Sequence, residues 1–188
     1  MIKLQRPICP NPQSLVDSKY DHPDNKKALV NASYGKCMYC ESYVLSVSFG
    51  EIEHIKPKSI FPNLEFDWNN LGFVCQRCNN SKNNKYDEAT QHINPYDENP
   101  EDFLFVSGTY ILHKDNNTRG EKTINDISLN REGLLEKRLE TINRLEKSLN
   151  ACLQLQEPLK SELLEELKKE ISREKEFSFV LKDKLRLP

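Results

Sequence analysis

Two Cys-x-x-Cys pairs constrain this chain more than any other feature: Cys37-Met38-Tyr39-Cys40 and Cys75-Gln76-Arg77-Cys78, separated by the 34 residues from 41 to 74. Each pair offers two thiolates from one tight turn, and two such turns brought together make the tetrahedral sulfur cage that zinc prefers. A redox role needs only one pair, and that pair usually sits in a strand-helix-strand setting that is missing here. Buried apolar cysteines are a further reading, but packing alone does not require paired spacing. The spacing therefore predicts a structural zinc held by Cys37, Cys40, Cys75 and Cys78. Cys9 and Cys152 stand alone and are expected to be packed or tolerated thiols.

At 188 residues and 37% hydrophobic content, the chain can bury one core with a helical tail and is short for two independent domains. Charged residues make up 30% of it, yet the formal net charge is only -2. No global basic field advertises a nucleic-acid partner, so any phosphate-binding patch must be local. The opening MIKLQRPICPNPQ has prolines and polar residues where a signal peptide needs an apolar stretch, and no run is long enough to span a membrane. The chain reads as cytoplasmic with no membrane segment, and a reducing compartment favours metal over disulfides for paired cysteines.

Four stretches follow from the patterning. Residues 1–33 read as an N-terminal arm containing Pro7, Pro10, Pro12 and Pro23, with a helix near Asn25 to Ser33. Residues 34–92 hold the knuckles, and the β-branched and aromatic run YVLSVSFGEIEHI predicts a strand or hairpin around Gly50. In residues 93–128, FLFV and TYIL predict a hairpin closing at Ser107-Gly108, read as scaffold. Residues 129–188 are helical: Asn130 is the expected N-cap, and Leu135, Leu139, Ile142, Leu145, Leu149 and Leu153 recur at helical spacing. A second helix is expected after Pro158, its glutamates early and its lysines late as the helix dipole favours. The two helices are expected to pack as an antiparallel hairpin or against a partner. The fold class is α+β with a C-terminal helical extension.

A cage of four cysteines is closed, so His54 in GEIEHIKPKS needs another explanation. Glu53 precedes it, Asn70-Leu71 follows, and the second knuckle runs into Asn79, Asn80, Ser81 and Lys82. The segments EHIKP, NNLGFVC and CQRCNNSK, within roughly residues 34 to 90, resemble the HNH endonucleases. The site of that family reads as an acidic residue or histidine, then histidine, a central asparagine before leucine, and histidine or asparagine shortly before a lysine.

This resemblance implies a ββα-metal core stapled by the zinc site. It implies His54 as general base, Glu53 and Asn79 as ligands of a catalytic magnesium or manganese, and Asn70 as the residue that holds the loop and orients His54. The chemistry agrees, because phosphodiester hydrolysis needs a water deprotonated near neutral pH and a hard cation on the phosphoryl oxygens. Oxygen ligands suit magnesium or manganese, whereas thiolates suit zinc. Glu53 stands where the family more often has aspartate or histidine, which bears on the choice of metal. If residues 43–54 form the first strand and its turn and 71–74 the second strand, a helix from about Asn79 lays its first turn beside His54, and the zinc fixes Asn79 through Cys78. Lys56, Lys58, Arg77, Lys82 and Lys85 are the expected phosphate contacts, Lys82 foremost because it occupies the lysine position of the family. His22, His92 and His113 sit in polar or turn-rich segments with no matching partners and are expected to be structural or surface residues.

Further motifs, IKLQRPICP, CMYCES, INPYDENP and TINDISLNREGLLEKR, resemble the HNH subunits of Septu-type anti-phage systems, including those associated with retrons. That resemblance implies a defence nuclease acting on DNA with a PtuA-like ATPase subunit. The rival reading is a non-catalytic zinc-ribbon module that binds nucleic acid or protein, and an RNA target is also open because no base-reading motif is present. His54 with Asn79 separates these, since a binding module needs neither.

Overall fold

The computed structural model describes residues 1–45, 49–182 and 184. Its centre is a ββα unit: β1 (Glu51–His54) pairs antiparallel with β2 (Leu71–Val74), and α3 (Gln76–Lys82) follows directly, after α1 (Pro12–Val16) and α2 (Pro23–Ala32). The register sets Glu51 opposite Val74 and His54 opposite Leu71. All four β2 residues are buried, as a strand covered on both faces must be. The expected first strand over residues 43–54 is shorter, beginning at Glu51, while Tyr43 makes an isolated bridge with Lys36; residues 46–48 of that expectation lie outside the described residues. Gly72 has a specific reason: a Cβ there would overlap the Met38 sulfur, so glycine lets the first knuckle close on β2, where Met38 N–H donates to Phe73 O at 3.0 Å.

Helix α3 starts at Gln76, earlier than expected, because the second Cys-x-x-Cys turn is itself the helix start with Cys75 as its N-cap. Asn79 therefore sits in the middle of the helix.

The N-terminal arm is built into the core. Met1, Ile2 and Leu4 are buried, and the Arg6 guanidinium donates to the carbonyls of Trp68, Asn69 and Leu71 while lying 3.8 Å from the centroid of the Tyr96 ring. Trp68 Nε1–H returns a bond to Pro7 O at 2.8 Å. The arm thus fixes the turn that leads into β2.

The expected hairpin is present as β3 (Leu104–Ser107) and β4 (Tyr110–His113), with Ser107 paired to Tyr110. Helix α4 (Thr118–Ile127) packs between this hairpin and α3. Helix α5 (Glu132–Leu153) is capped by Arg131 and not by Asn130. Asn130 is otherwise committed: its amide accepts from Ile111 N–H at 2.9 Å and donates to Ile111 O at 2.7 Å, closing the exposed edge of β4. Ile142 and Leu145 are buried as the spacing requires, whereas Leu139 and Leu153 are about half-exposed. Helix α6 (Leu159–Lys169) packs on α5, and α7 (Ser178–Leu181) is buried behind the first knuckle, where Ser178 Oγ–H donates to Glu41 Oε2 at 2.6 Å. Among the described residues no helix is long and apolar enough to cross a membrane.

Candidate active site and metal centre

The four knuckle sulfurs lie within 4.8 Å of one another. Cys40 Sγ and Cys75 Sγ, one from each knuckle, are 3.9 Å apart. A tetrahedron with metal–sulfur bonds of about 2.3 Å has edges of about 3.8 Å, so the cage has the size a tetrathiolate metal needs. Cys37, Cys40 and Cys78 are buried and Cys75 is half-buried. Two arginines of the helical region face the cage. The Arg131 guanidinium donates to Cys78 Sγ at 3.5 Å and reaches Cys75 Sγ at 4.0 Å. Burial works against its charge, but the sulfurs outweigh burial and push its pKa up. Arg138 is fully buried, donates to Thr109 O at 3.1 Å, and is pulled down to about 10 by desolvation. Neither arginine was singled out from the sequence, since only the fold brings α5 against the cage.

On the other side of α3 a cleft of about 390 Å³ is lined by Glu53, His54 and Asn79 together with Tyr20, Lys58 and Asn83. His54, at the end of β1, is half-buried, and its Nε2 lies 2.9 Å from Glu65 O. A carbonyl can only accept, so Nε2 carries the proton and the neutral ring holds its lone pair on Nδ1. Burial pulls the His54 pKa below 6.5, Lys58 and Lys82 reinforce this, and Glu65 opposes it. The imidazole is therefore neutral at pH 7 and able to accept a proton.

Asn70 is buried and holds the loop after His54 with three bonds: its Oδ1 accepts from Lys56 N–H at 2.7 Å, and its Nδ2 donates to Lys56 O at 2.9 Å and Leu64 O at 3.1 Å. Its own carbonyl accepts from Ile55 N–H at 2.9 Å. This loop carries Glu65, whose carbonyl sets the imidazole.

Glu53 is buried beside Tyr39, and its Oε1 lies 2.5 Å from Lys82 Nζ. Burial pushes the Glu53 carboxyl up despite that lysine, so Lys82 offsets its negative charge incompletely. Asn79 Nδ2–H donates to Glu51 Oε2 at 2.6 Å. Glu51 shares a face of β1 with Glu53, two residues on, and was not singled out from the sequence although that alternation is the signal for it. A buried, under-neutralised carboxylate beside a carboxamide is the donor chemistry of a hard divalent cation, so these residues fit the expected metal.

The basic residues do not form one patch. Lys82 is corrected outright: it is 1% exposed, its ammonium committed to Glu53 and to His54 O at 3.0 Å, so it supports the site from inside and cannot meet a phosphate. Lys58 lies at the cleft and pairs with Glu65 at 2.7 Å. Lys56 lines a separate cavity with Tyr86 and Arg119, Arg77 borders a cavity beside Cys75 and α5, and Lys85 reaches Asp126 O at 3.4 Å. His22 caps α2 and His92 pairs with Asp126 at 2.8 Å, both structural uses.

Residues 37–85 match the family model described as HNH endonuclease. The HNH likeness is thus carried by residues 37–85. That segment contains both knuckles, β1, β2 and α3. The chain is also 29% identical over 194 aligned positions to the Septu protein PtuB of Bacillus mycoides strain KBAB4, covering 81% of this chain and 65% of that protein. To the Septu protein PtuB of Bacillus thuringiensis it is 31% identical over 143 residues, covering 69% and 55% respectively. The chain thus spans less than two thirds of the length of either relative. These shares are well beyond the 49 residues of the HNH segment.

Proposed function

We propose that this chain is a divalent-metal-dependent HNH endonuclease that hydrolyses phosphodiester bonds in DNA, working in anti-phage defence with an ATPase subunit. The observation that carries the nuclease reading is the placement of His54: its Nε2 is 2.9 Å from the Glu65 carbonyl, which leaves Nδ1 for a water, in a cleft it shares with Glu53 and Asn79. In this reading His54 takes the proton of the attacking water as general base. Asn70 holds the loop whose carbonyl keeps the imidazole in that tautomer. Glu53 and Asn79 hold the cation, which supplies charge stabilisation at the phosphoryl and leaving oxygens. Lys82 stabilises the Glu53 carboxylate from the core, and Lys58 at the rim attracts the phosphate backbone. The four cysteines hold a structural zinc that positions Asn79 through the adjacent Cys78.

Defence and the ATPase partner rest on the similarity to Septu proteins and on the resemblance of the outer motifs. The test is incubation of the zinc-loaded chain with plasmid DNA and magnesium or manganese, alone and with the ATPase, before and after EDTA. Metal-dependent nicking or linearisation that EDTA stops is the expected result. Cleavage indifferent to EDTA overturns the metal assignment, and an intact plasmid under every condition overturns the nuclease.

A further inference from the structure

We infer that Tyr20, which lies outside the HNH-matched segment, is a positioning residue of the active site: its ring sets the orientation of His54 and of Lys58. The inference rests on the reading of His54 as general base. Tyr20 lines the cleft, and its ring meets the imidazole edge-on, with centroids 4.7 Å apart and planes at 76°. The Lys58 ammonium stands 4.8 Å from the centroid of the same ring. Glu65 makes the complementary pair of contacts, its carbonyl with His54 Nε2 at 2.9 Å and its carboxylate with Lys58 Nζ at 2.7 Å. Tyr20 and Glu65 thus grip the same two side chains. A hydrogen bond at Nε2 alone leaves the imidazole free to rock about that bond, whereas an aromatic edge against the ring removes the motion. Lys58 is held by the carboxylate on one side and the aromatic ring on the other, a geometry a cation favours.

The segment that carries Tyr20 is anchored for such a role. In the first turn of α2, Asn25 is fully buried and ties back to the start of α1, its Oδ1 accepting from Asn11 N–H at 3.0 Å and its Nδ2 donating to Asn11 O at 3.1 Å and Ser14 Oγ at 2.9 Å. Ser14 O accepts from Lys19 N–H at 2.7 Å, one residue before Tyr20. A buried polar network of this kind rigidifies a connection that would otherwise be mobile, and it ends at the cleft.

The ring alone meets His54, whereas Lys58 also hydrogen-bonds the Tyr20 hydroxyl, so the Phe variant, which keeps the ring, isolates the contact with His54. In the full zinc-loaded chain, Tyr20→Phe is expected to cleave within about twofold of wild type, while Tyr20→Leu loses about ten- to a hundredfold in kcat and raises the KM for DNA less than kcat falls. Tyr20→Met serves as a second aliphatic variant should Leu lower the yield. Independently of cleavage, NMR relaxation of the His54 ring C–H groups is expected to show a rigid imidazole in wild type and Tyr20→Phe, and a mobile one in Tyr20→Leu. Tyr20→Leu at wild-type kcat, or with a His54 ring as rigid as in wild type, overturns the inference, as does Tyr20→Phe failing like Tyr20→Leu. Full cleavage by His54→Ala would instead overturn the base assignment, and the relaxation measurement still decides whether Tyr20 positions the ring.

Discussion

Replacing Lys82 by methionine removes one half of a buried ion pair and is expected to be among the most damaging single changes in the core. Lys82 is 1% and Glu53 3% exposed, with Nζ and Oε1 2.5 Å apart. At an effective dielectric of about 20 that separation gives about 7 kcal/mol of gross attraction. Much of it is offset by desolvation of the two ions, so the intact pair adds little net stability. Lys82→Met keeps similar length but removes both the offset to Glu53 and the bond to His54 O, leaving Glu53 buried and unpaired, which costs about 3–5 kcal/mol. For a chain of this size that lowers Tm by roughly 6–20 °C. The effect has a pH sign. Burial already holds the Glu53 carboxyl above its ordinary value, and losing Lys82 raises it further, so the folded state binds a proton that the unfolded state releases. The stability of Lys82→Met therefore falls as pH rises above about 4.5, and its deficit is larger at pH 8 than at pH 5. The assay is urea unfolding of wild type, Lys82→Met, Glu53→Gln and the double variant at both pH values in EDTA-free, magnesium-free buffer. The double variant should recover most of the loss. A single variant within 1 kcal/mol of wild type at pH 8, or a deficit that grows on acidification, refutes the reasoning.

Three further outcomes follow from the same geometry. Cys75→Ser opens a tetrathiolate cage of the size zinc requires, so the purified variant should lack stoichiometric zinc by atomic absorption and give little soluble protein; normal yield and melting without zinc contradict a structural metal. Asn70→Ala unmakes three bonds to Lys56 and Leu64 and strands their buried groups, costing about 1–3 kcal/mol and at least tenfold in cleavage; an active, equally stable variant removes Asn70 from the site. Because burial holds the His54 pKa below 6.5, cleavage should be flat across neutral pH and fall with slope one only below that value, as the base becomes protonated; a limb centred above pH 7 assigns it to another group.

Motifs read well from this sequence where the chemistry is local. The two knuckles, Glu53-His54 and Asn70 each sit within a few residues of a turn or strand end, so spacing alone brings their functional groups near one another. The β3–β4 hairpin was legible for the same reason, alternation around Ser107-Gly108. What failed depends on side-chain direction or on contacts between distant segments. Lys82 occupies a helix that sequence alone reads as a basic surface, yet its side chain turns inward because Glu53 must be offset. Asn130 has the right residue type for a cap but faces Ile111, leaving Arg131 to open α5. Arg131 meets Cys78 across 53 positions, and Tyr20 meets His54 across the arm and the first knuckle, so neither carries any local signal.

The most direct measurement is the rate of plasmid cleavage by wild type and His54→Ala, compared at equal zinc content and equal melting temperature in saturating manganese, with the ATPase present. The account predicts cutting by wild type and a loss of at least a hundredfold in His54→Ala, with DNA binding retained. Equal rates in the two proteins would contradict it.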